Sequence, residues 1–326
     1  MIHKLKEIAP EFLYKFYLKL REKHLAEELQ KLKIKKQGID DDGTPYIQLD
    51  SGIIFHGFLP SRANKLLHES IENEIPFIQS ECFKVAYEIV DRYVVPRCIP
   101  GESYFYGAGA GFKPLRDPLN DLKLSSHERK EMAERFKVKS GSTIIDAGAF
   151  TGFGTIKLAE RSGDEGRVFA FESFPDSLSL LRKNIEKNGI KNVTIVPKAV
   201  SNFTGTGTFY TGGLTANSLT EKTLSREVEN SKLNSFDVEV TKIDDELKKH
   251  GINSVDYINI TVNGAEPEVI EGASELLRQS SQLRLTTPGW YYRESVKLHK
   301  IIVPQLMELG LKAQAGRLGR VLAWKD

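Results

Sequence analysis

The chain has 326 residues, with 46 lysines and arginines against 44 aspartates and glutamates, for a net charge of +2. That length supports one large domain with an attachment, or two domains, and the near balance of charge argues against a nucleic-acid partner, which needs a basic face. Two cysteines, Cys82 and Cys98, are too few for a disulfide framework or a cysteine zinc site, and the seven histidines lack a metal-binding spacing. No apolar run reaches the roughly 18 residues of a membrane span. The start of the chain lacks the short apolar core and small-residue cleavage site of a secretory signal. A cytoplasmic, metal-independent protein is the expectation.

Residues 2–36 read as one long helix, with Ile8, Phe12, Phe16 and Leu20 spaced by four and Leu25, Leu29 and Leu32 continuing the face. Ten basic residues against five glutamates make it a basic amphipathic helix. Such a helix packs on its own protein, lies on a membrane surface or pairs with a second copy. Gly38 to Gly43 breaks the pattern, and two strands around 46–49 and 52–58 follow, joined at Asp50-Ser51-Gly52 as a hairpin. Helical spacing returns over 61–94, interrupted at Pro76. Residues 95–120, rich in Pro, Gly and aromatics including Tyr104 and Tyr106, read as a loop that folds over a ligand or simply packs. A helix over Ser125–Phe136 comes next, starting near Ser126 and Glu128.

From residue 142 strands and helices alternate. Strands are expected at 143–145, 167–171, 193–196, 207–210, 235–240, 257–260, 282–285, 311–315 and 319–324. Helices are expected at 152–162, 175–188, 243–250, 265–279 and 293–309. This alternation predicts an α/β fold, a mostly parallel sheet with helices on both faces, whose ligand lies at the carboxyl ends of the strands. Two regions follow: 1–100, mainly helical with a hairpin and serving as a cap or an oligomerisation element, and 101–326, the α/β domain, introduced by the Gly- and Pro-rich loop at 101–120.

Three strand ends carry the polar chemistry. The first runs Asp146-Ala147-Gly148-Ala149-Phe150-Thr151-Gly152. Its glycines permit tight turning and close approach, while Asp146 calls for a positive partner and repels phosphate. The G-x-G-x-x-G spacing of a pyrophosphate-binding loop is absent. The second ends at Glu172, where a carboxylate can accept both hydroxyls of a ribose. The third is Tyr257 to Glu266, in which Asn259, Thr261 and Asn263 alternate along a strand edge and face one way. Trp290, Tyr291 and Tyr292 follow a later strand and either stack on a sugar or adenine plane or fill core. His56 and His299 read as structural or surface histidines, and Arg182, Lys183 and Lys187 as a solvated helix flank.

With those motifs in place, residues 142–275 resemble the FkbM family of S-adenosylmethionine (SAM)-dependent methyltransferases. The matching stretches are Ile145-Asp-Ala-Gly-Ala-Phe-Thr-Gly152, Phe169-Ala-Phe-Glu-Ser-Phe-Pro-Asp176, Leu181-Arg-Lys-Asn-Ile-Glu-Lys-Asn-Gly189, Val196-Pro-Lys-Ala-Val-Ser201, Val240-Thr-Lys-Ile-Asp244 and Asp256-Tyr-Ile-Asn-Ile-Thr-Val-Asn-Gly-Ala-Glu266. The resemblance implies a class I, Rossmann-like core, SAM as cofactor, and methyl transfer to a hydroxyl of a sugar, glycan or small metabolite. By position it implies that Asp146, Ala147, Gly148, Ala149, Phe150, Thr151 and Gly152 wrap the methionine end and that Glu172 holds the ribose. Ser173 and Phe174 would flank the adenine on one side, Lys198 and Ala199 on the other. Asn259 through Glu266 would face the transferring methyl. The chain departs from the family at Phe150, where an asparagine is usual, and at Thr261 and Asn263, where acids are usual. An alcohol acceptor needs a base, and Glu266 is the nearest remaining candidate beside Thr261 and Asn263. Its other reading is an acid at a helix N-terminus. The alternative to an enzyme is a SAM-binding, catalytically degenerate scaffold or assembly protein.

Overall fold

A computed structural model describes residues 34–57, 104–106, 113–115, 119, 122–211, 217–219, 234–317 and 319–326. These fall into two compact units. Among described residues the first holds 34–57, 105–106, 113–114 and 186–188, and the second holds nearly all the rest. The expected helices at 61–94, and the part of the N-terminal helix before residue 34 with its membrane or partner role, lie outside the described residues.

The first unit is built on an antiparallel meander of β1 (Ile34–Ile39), β2 (Pro45–Leu49) and β3 (Ile54–His56). Residues 34–36 are therefore strand, where the periodicity extended a helix. Pairing with β2 overrides the local pattern, with Gly38 opposite Tyr46. The β2–β3 hairpin turns at Asp50-Ser51-Gly52, and Gly52 adopts φ 91° there, a left-handed value suited to glycine. Two short strands, β4 (Tyr104–Tyr106) and β5 (Lys113–Leu115), form a two-stranded sheet within the stretch read as loop.

The second unit opens with α1 (Ser126–Arg135). Its cap is Ser125: the Ser125 hydroxyl accepts from Glu128 N and the Glu128 carboxylate accepts from Ser125 N, a reciprocal capping box. Then follow β6 (Thr143–Ala147), α2 (Phe153–Ser162), β7 (Arg167–Phe171), α3 (Pro175–Lys187), β8 (Val193–Val196) and β9 (Ala199–Val200). Next come β10 (Gly205–Thr211), β11 (Asn217–Ser218), β12 (Asn234–Thr241), α4 (Ile243–Lys249) and β13 (Tyr257–Ile260). The unit closes with α5 (Glu266–Glu271), α6 (Ser274–Gln279), β14 (Arg284–Pro288), β15 (Tyr292–Arg293), β16 (Val296–Lys297), α7 (His299–Glu308), β17 (Lys312–Ala315) and β18 (Arg320–Trp324).

Seven strands make the main sheet in the order β17-β18-β14-β13-β6-β7-β8. Those from β14 to β8 are parallel, and β18 runs against both its neighbours. Strands covered on both faces read as continuous apolar runs. Accordingly Ile144, Ile145, Ile258 and Ile260 are fully buried, each contributing about 2 kcal/mol of apolar burial. A separate four-stranded sheet, β11-β10-β12-β9, is inserted between β8 and α4, and its inner face carries Phe209, Val238 and Val240 beside Ala199.

Two expected helices are interrupted. The 265–279 helix breaks at Gly272, where the backbone runs so close to the Ser201 carbonyl that a Cβ would collide with it. The start of the 293–309 helix is instead the β15–β16 hairpin, with Glu294 and Ser295 both left-handed at φ 49° and 71°. No glycine marks that turn. Among the described residues no helix is long and apolar enough to cross a membrane, and no cluster of three or more His, Cys, Asp or Glu is arranged to hold a metal.

Candidate active site

The parallel register sets Asn259 of β13 directly between Asp146 of β6 and Thr286 of β14. Their side chains form a buried row. Thr286 Oγ1 donates to Asn259 Oδ1 at 3.2 Å, Asn259 Nδ2 donates to Asp146 Oδ1 at 2.9 Å, and Thr155 Oγ1 donates to Asp146 Oδ2 at 2.7 Å. Polar groups in a sheet centre must be paired in this way. Two neutral donors thus hold Asp146, which has no exposed surface and braces the site from beneath. Asn259, 1% exposed, belongs to the same row, and its Nδ2 also reaches Thr261 Oγ1 at 3.5 Å. The strand stops at Ile260 and the chain turns.

Above this row the chain after β6 winds through left-handed conformations at Gly148 (φ 79°), Phe150 (φ 55°) and Gly152 (φ 91°). Gly148 N and Ala149 N both donate to Phe171 O, at 2.9 and 2.8 Å, tying this turn to the end of β7. Thr151 is buried, and its carbonyl accepts from Asn184 Nδ2 at 2.8 Å. A Cβ on Gly152 would sit 2.6 Å from Leu181 Cδ1, which makes this the point of closest approach to α3. A Cβ on Gly148 would collide with the Thr261 carbonyl oxygen. The turns after β6 and β13 therefore meet backbone to backbone, and Thr261 N donates to Ala147 O at 2.9 Å. An asparagine tolerates a left-handed φ where a phenylalanine is strained, which gives the departure at Phe150 a physical meaning.

Glu172 leaves the end of β7 half-buried. Its Oε2 accepts from Phe150 N and its Oε1 from Phe174 N, both at 2.8 Å. These two bonds fix the orientation of the carboxylate, whose oxygens can accept from a diol. The Asp146–Phe153 stretch contains no lysine or arginine to meet a phosphate. This acceptor pair fits the hydroxyls of an uncharged ribose. Ser173 and Phe174 are half-buried beside it, with the Phe174 ring 6.2 Å from Phe236. The Lys198 ammonium is engaged by Glu246 at 3.3 Å and lies 3.8 Å from Glu239, and its backbone N–H donates to Val196 O at 2.8 Å. Ala199 is buried in the aromatic cluster of the inserted sheet.

The turn after β13 is held from four directions. Ser218 Oγ donates to Val262 O at 3.2 Å. Asn263 is left-handed at φ 56°, and its Oδ1 accepts from Tyr291 OH at 2.8 Å. Arg293 donates to Gly264 O at 2.8 Å and grips Glu268 with two bonds of 2.7 and 2.9 Å. Glu266, wholly buried, accepts from Val262 N at 3.2 Å and Gly264 N at 2.9 Å, and burial pushes its carboxyl up to about 7. It sits inside the turn it stabilises rather than on a surface that an acceptor would touch. The sequence pointed to Thr261, Asn263 and Glu266 but not to Tyr291 and Arg293 as their anchors. The aromatic run at 290–292 was the only signal available for them. Trp290 meets the Arg320 guanidinium at 5.0 Å, whereas Tyr292 is exposed.

A seven-stranded sheet with one reversed strand next to its edge, carrying an acidic second-strand end beside a glycine turn, is the Rossmann-like fold of class I methyltransferases. Residues 146–300 match the family model described as the methyltransferase FkbM domain. Curated relatives match over shorter stretches. The protein-L-isoaspartate O-methyltransferase of Methanococcoides burtonii is 35% identical over 65 residues, 20% of this chain and 32% of that protein. The probable cobalt-precorrin-6B C(15)-methyltransferase (decarboxylating) of Sulfurisphaera tokodaii is 38% identical over 79 residues, 24% of this chain and 41% of that one. The chain thus spans well under half the length of these two relatives. Among solved structures, a putative methyltransferase from Streptococcus mutans in complex with SAH is 13% identical with a TM-score of 0.39, covering 63% of this chain and 100% of that one.

Proposed function

We infer that the domain binds SAM at the turn after β6 and transfers its methyl group to an oxygen of a sugar, glycan or small metabolite. The observation that carries this reading is Glu172: an anionic acceptor pair at the end of β7, oriented by two backbone N–H groups, beside a turn without cationic side chains. When bound, SAM supplies an electrophilic methyl on a sulfonium. In this reading Glu172 accepts from the ribose hydroxyls, Ser173 and Phe174 line one side of the adenine, and the 198–199 backbone lines the other. The Asp146–Asn259–Thr286 row holds three strand ends in register, so that the 147–152 turn and the Thr261–Asn263 turn keep a fixed separation. Positioning of this kind is a large part of catalysis by in-line displacement. Glu266 acts as a positioning residue through the turn it closes. The relatives' names, one on oxygen and one on carbon, support methyl transfer as the common reaction. The first 100 residues would serve as a cap or an assembly element.

Calorimetric titration with SAM tests the reading. Binding to the full chain is expected, with affinity at least tenfold weaker in Glu172→Ala and unchanged in the exposed-site control Glu165→Ala. Absence of binding by the wild type sinks the proposal. The internal position of Glu266 favours a second reading, a SAM-binding scaffold without turnover. That reading would be distinguished by binding without release of S-adenosylhomocysteine across an acceptor panel.

A further inference from the structure

Past its first residue, the turn after β13 is placed by groups outside the main sheet. That first residue is tied to β6, with Thr261 N donating to Ala147 O at 2.9 Å and the Thr261 carbonyl lying against Gly148. Asn263 and Gly264 are both left-handed, at φ 56° and 107°. Ser218, Arg293 and Glu266 grip backbone atoms of this segment. Tyr291 grips a side chain instead: its hydroxyl donates to Asn263 Oδ1 at 2.8 Å. Tyr291 is itself firmly based. Its carbonyl accepts from Leu298 N at 2.8 Å, just before α7, and two residues earlier Gly289 O accepts from His299 N at 3.0 Å. Its side chain packs against the main core, as does that of Val262. A hydroxyl on a ring fixed by packing and backbone bonds sets the position of the amide it touches.

We propose that Tyr291 is a positioning residue for methyl transfer, acting through Asn263 to hold the wall that meets the sulfonium end of SAM. This rests on the SAM-dependent reading above and adds to it a residue from beyond the strand ends. In that reading the methionine end lies in the 147–152 turn, and the approach of Thr261 O to Gly148 brings the 261–263 turn to the same place. SAM and S-adenosylhomocysteine differ only at the sulfur, where SAM carries a methyl group and a positive charge. A residue that merely supports the fold acts on both ligands alike, whereas one that sets the wall facing the methyl acts on SAM. Removing the Tyr291 hydroxyl leaves its ring, the backbone ties of the turn and the Glu172 end of the site in place. The loss then falls on alignment at the methyl.

Calorimetric titration of the full chain with SAM and, separately, with S-adenosylhomocysteine tests this. Tyr291→Phe should weaken SAM binding by about threefold or more while S-adenosylhomocysteine keeps its wild-type affinity, and thermal unfolding should stay close to that of the wild type. Asn263→Gly, which keeps the left-handed backbone and deletes the amide, should shift the ratio of the two affinities by the same factor. Adding Tyr291→Phe to Asn263→Gly should change the ratio no further, since both act through one bond. An unchanged ratio in Tyr291→Phe overturns the proposal and leaves the SAM reading intact. An equal fall for both ligands, the mark of a purely structural residue, also overturns it, as do effects that multiply in the double variant. If the wild type binds neither ligand, the SAM reading itself falls, and the proposal with it.

Discussion

Replacing Gly148 by alanine tests the contact on which the site geometry depends. Gly148 has φ 79°, a conformation that costs an L-residue about 1–2 kcal/mol. Its added Cβ would lie well inside 3.0 Å of the Thr261 carbonyl oxygen. That oxygen is backbone and cannot rotate away, and the neighbouring Thr261 N is tied to Ala147 O at 2.9 Å. Relief requires moving one strand end, a strain comparable to overpacking and worth about 1–3 kcal/mol. The total is about 3 kcal/mol. Gly189 supplies the control, with φ 63° and nothing within 4 Å of an added Cβ, so Gly189→Ala should cost only about 1 kcal/mol. Urea unfolding of both variants measures the difference, and a domain of this size should show melting shifts of about 2–4 °C per kcal/mol. Equal losses in the two variants would refute the close approach of the β6 and β13 turns.

Three further outcomes follow from the same geometry. At Phe150 (φ 55°), Phe150→Gly should be more stable than Phe150→Ala by about 1 kcal/mol, the reverse of the usual order, as read by thermal unfolding; a more stable alanine variant would contradict the strain. Burial raises the Glu266 carboxyl from 4.5 to about 7, so the stability it contributes is complete below 4.5 and is lost as pH rises to 7. That amounts to about 3 kcal/mol across the window. Urea midpoints measured across it should fall in the wild type and stay flatter in Glu266→Gln, and parallel profiles would argue against a buried, titrating Glu266. Arg293→Ala removes a partly exposed clamp and should cost about 1 kcal/mol, but should speed hydrogen exchange at Val262 and Gly264 at least tenfold. Unchanged exchange there would show that the turn does not depend on Arg293.

The central strands were legible because burial on both faces forces long apolar runs, and 167–171, 193–196 and 257–260 appear with the expected bounds. The acid at 172 and the glycines at 148 and 152 were legible because strand-end chemistry and left-handed turns restrict residue type. What was hidden depends on partners distant in sequence. Ile34–Ile39 is a strand because β2 pairs with it, although lysines and leucines upstream favour helical reading. Gly272 ends α5 because Ser201 O lies against it, a contact with no local signal. Glu294 and Ser295 make a left-handed turn without the Asn-Gly that usually announces one. The sequence marks Asp146 and Glu266 as acids near strand ends but does not reveal that Thr155 and Asn259, or two backbone amides, donate to their oxygens. Tyr291 and Arg293 reach the turn after β13 only because the β15–β16 hairpin folds toward it.

A crystal structure of the full chain grown with S-adenosylhomocysteine tests the central claim most directly. The account predicts the ribose hydroxyls on the Glu172 carboxylate, the adenine beside Ser173 and Phe174, and the sulfur against the Thr261–Asn263 turn. A nucleoside bound elsewhere, or no nucleoside bound at all, would contradict the account.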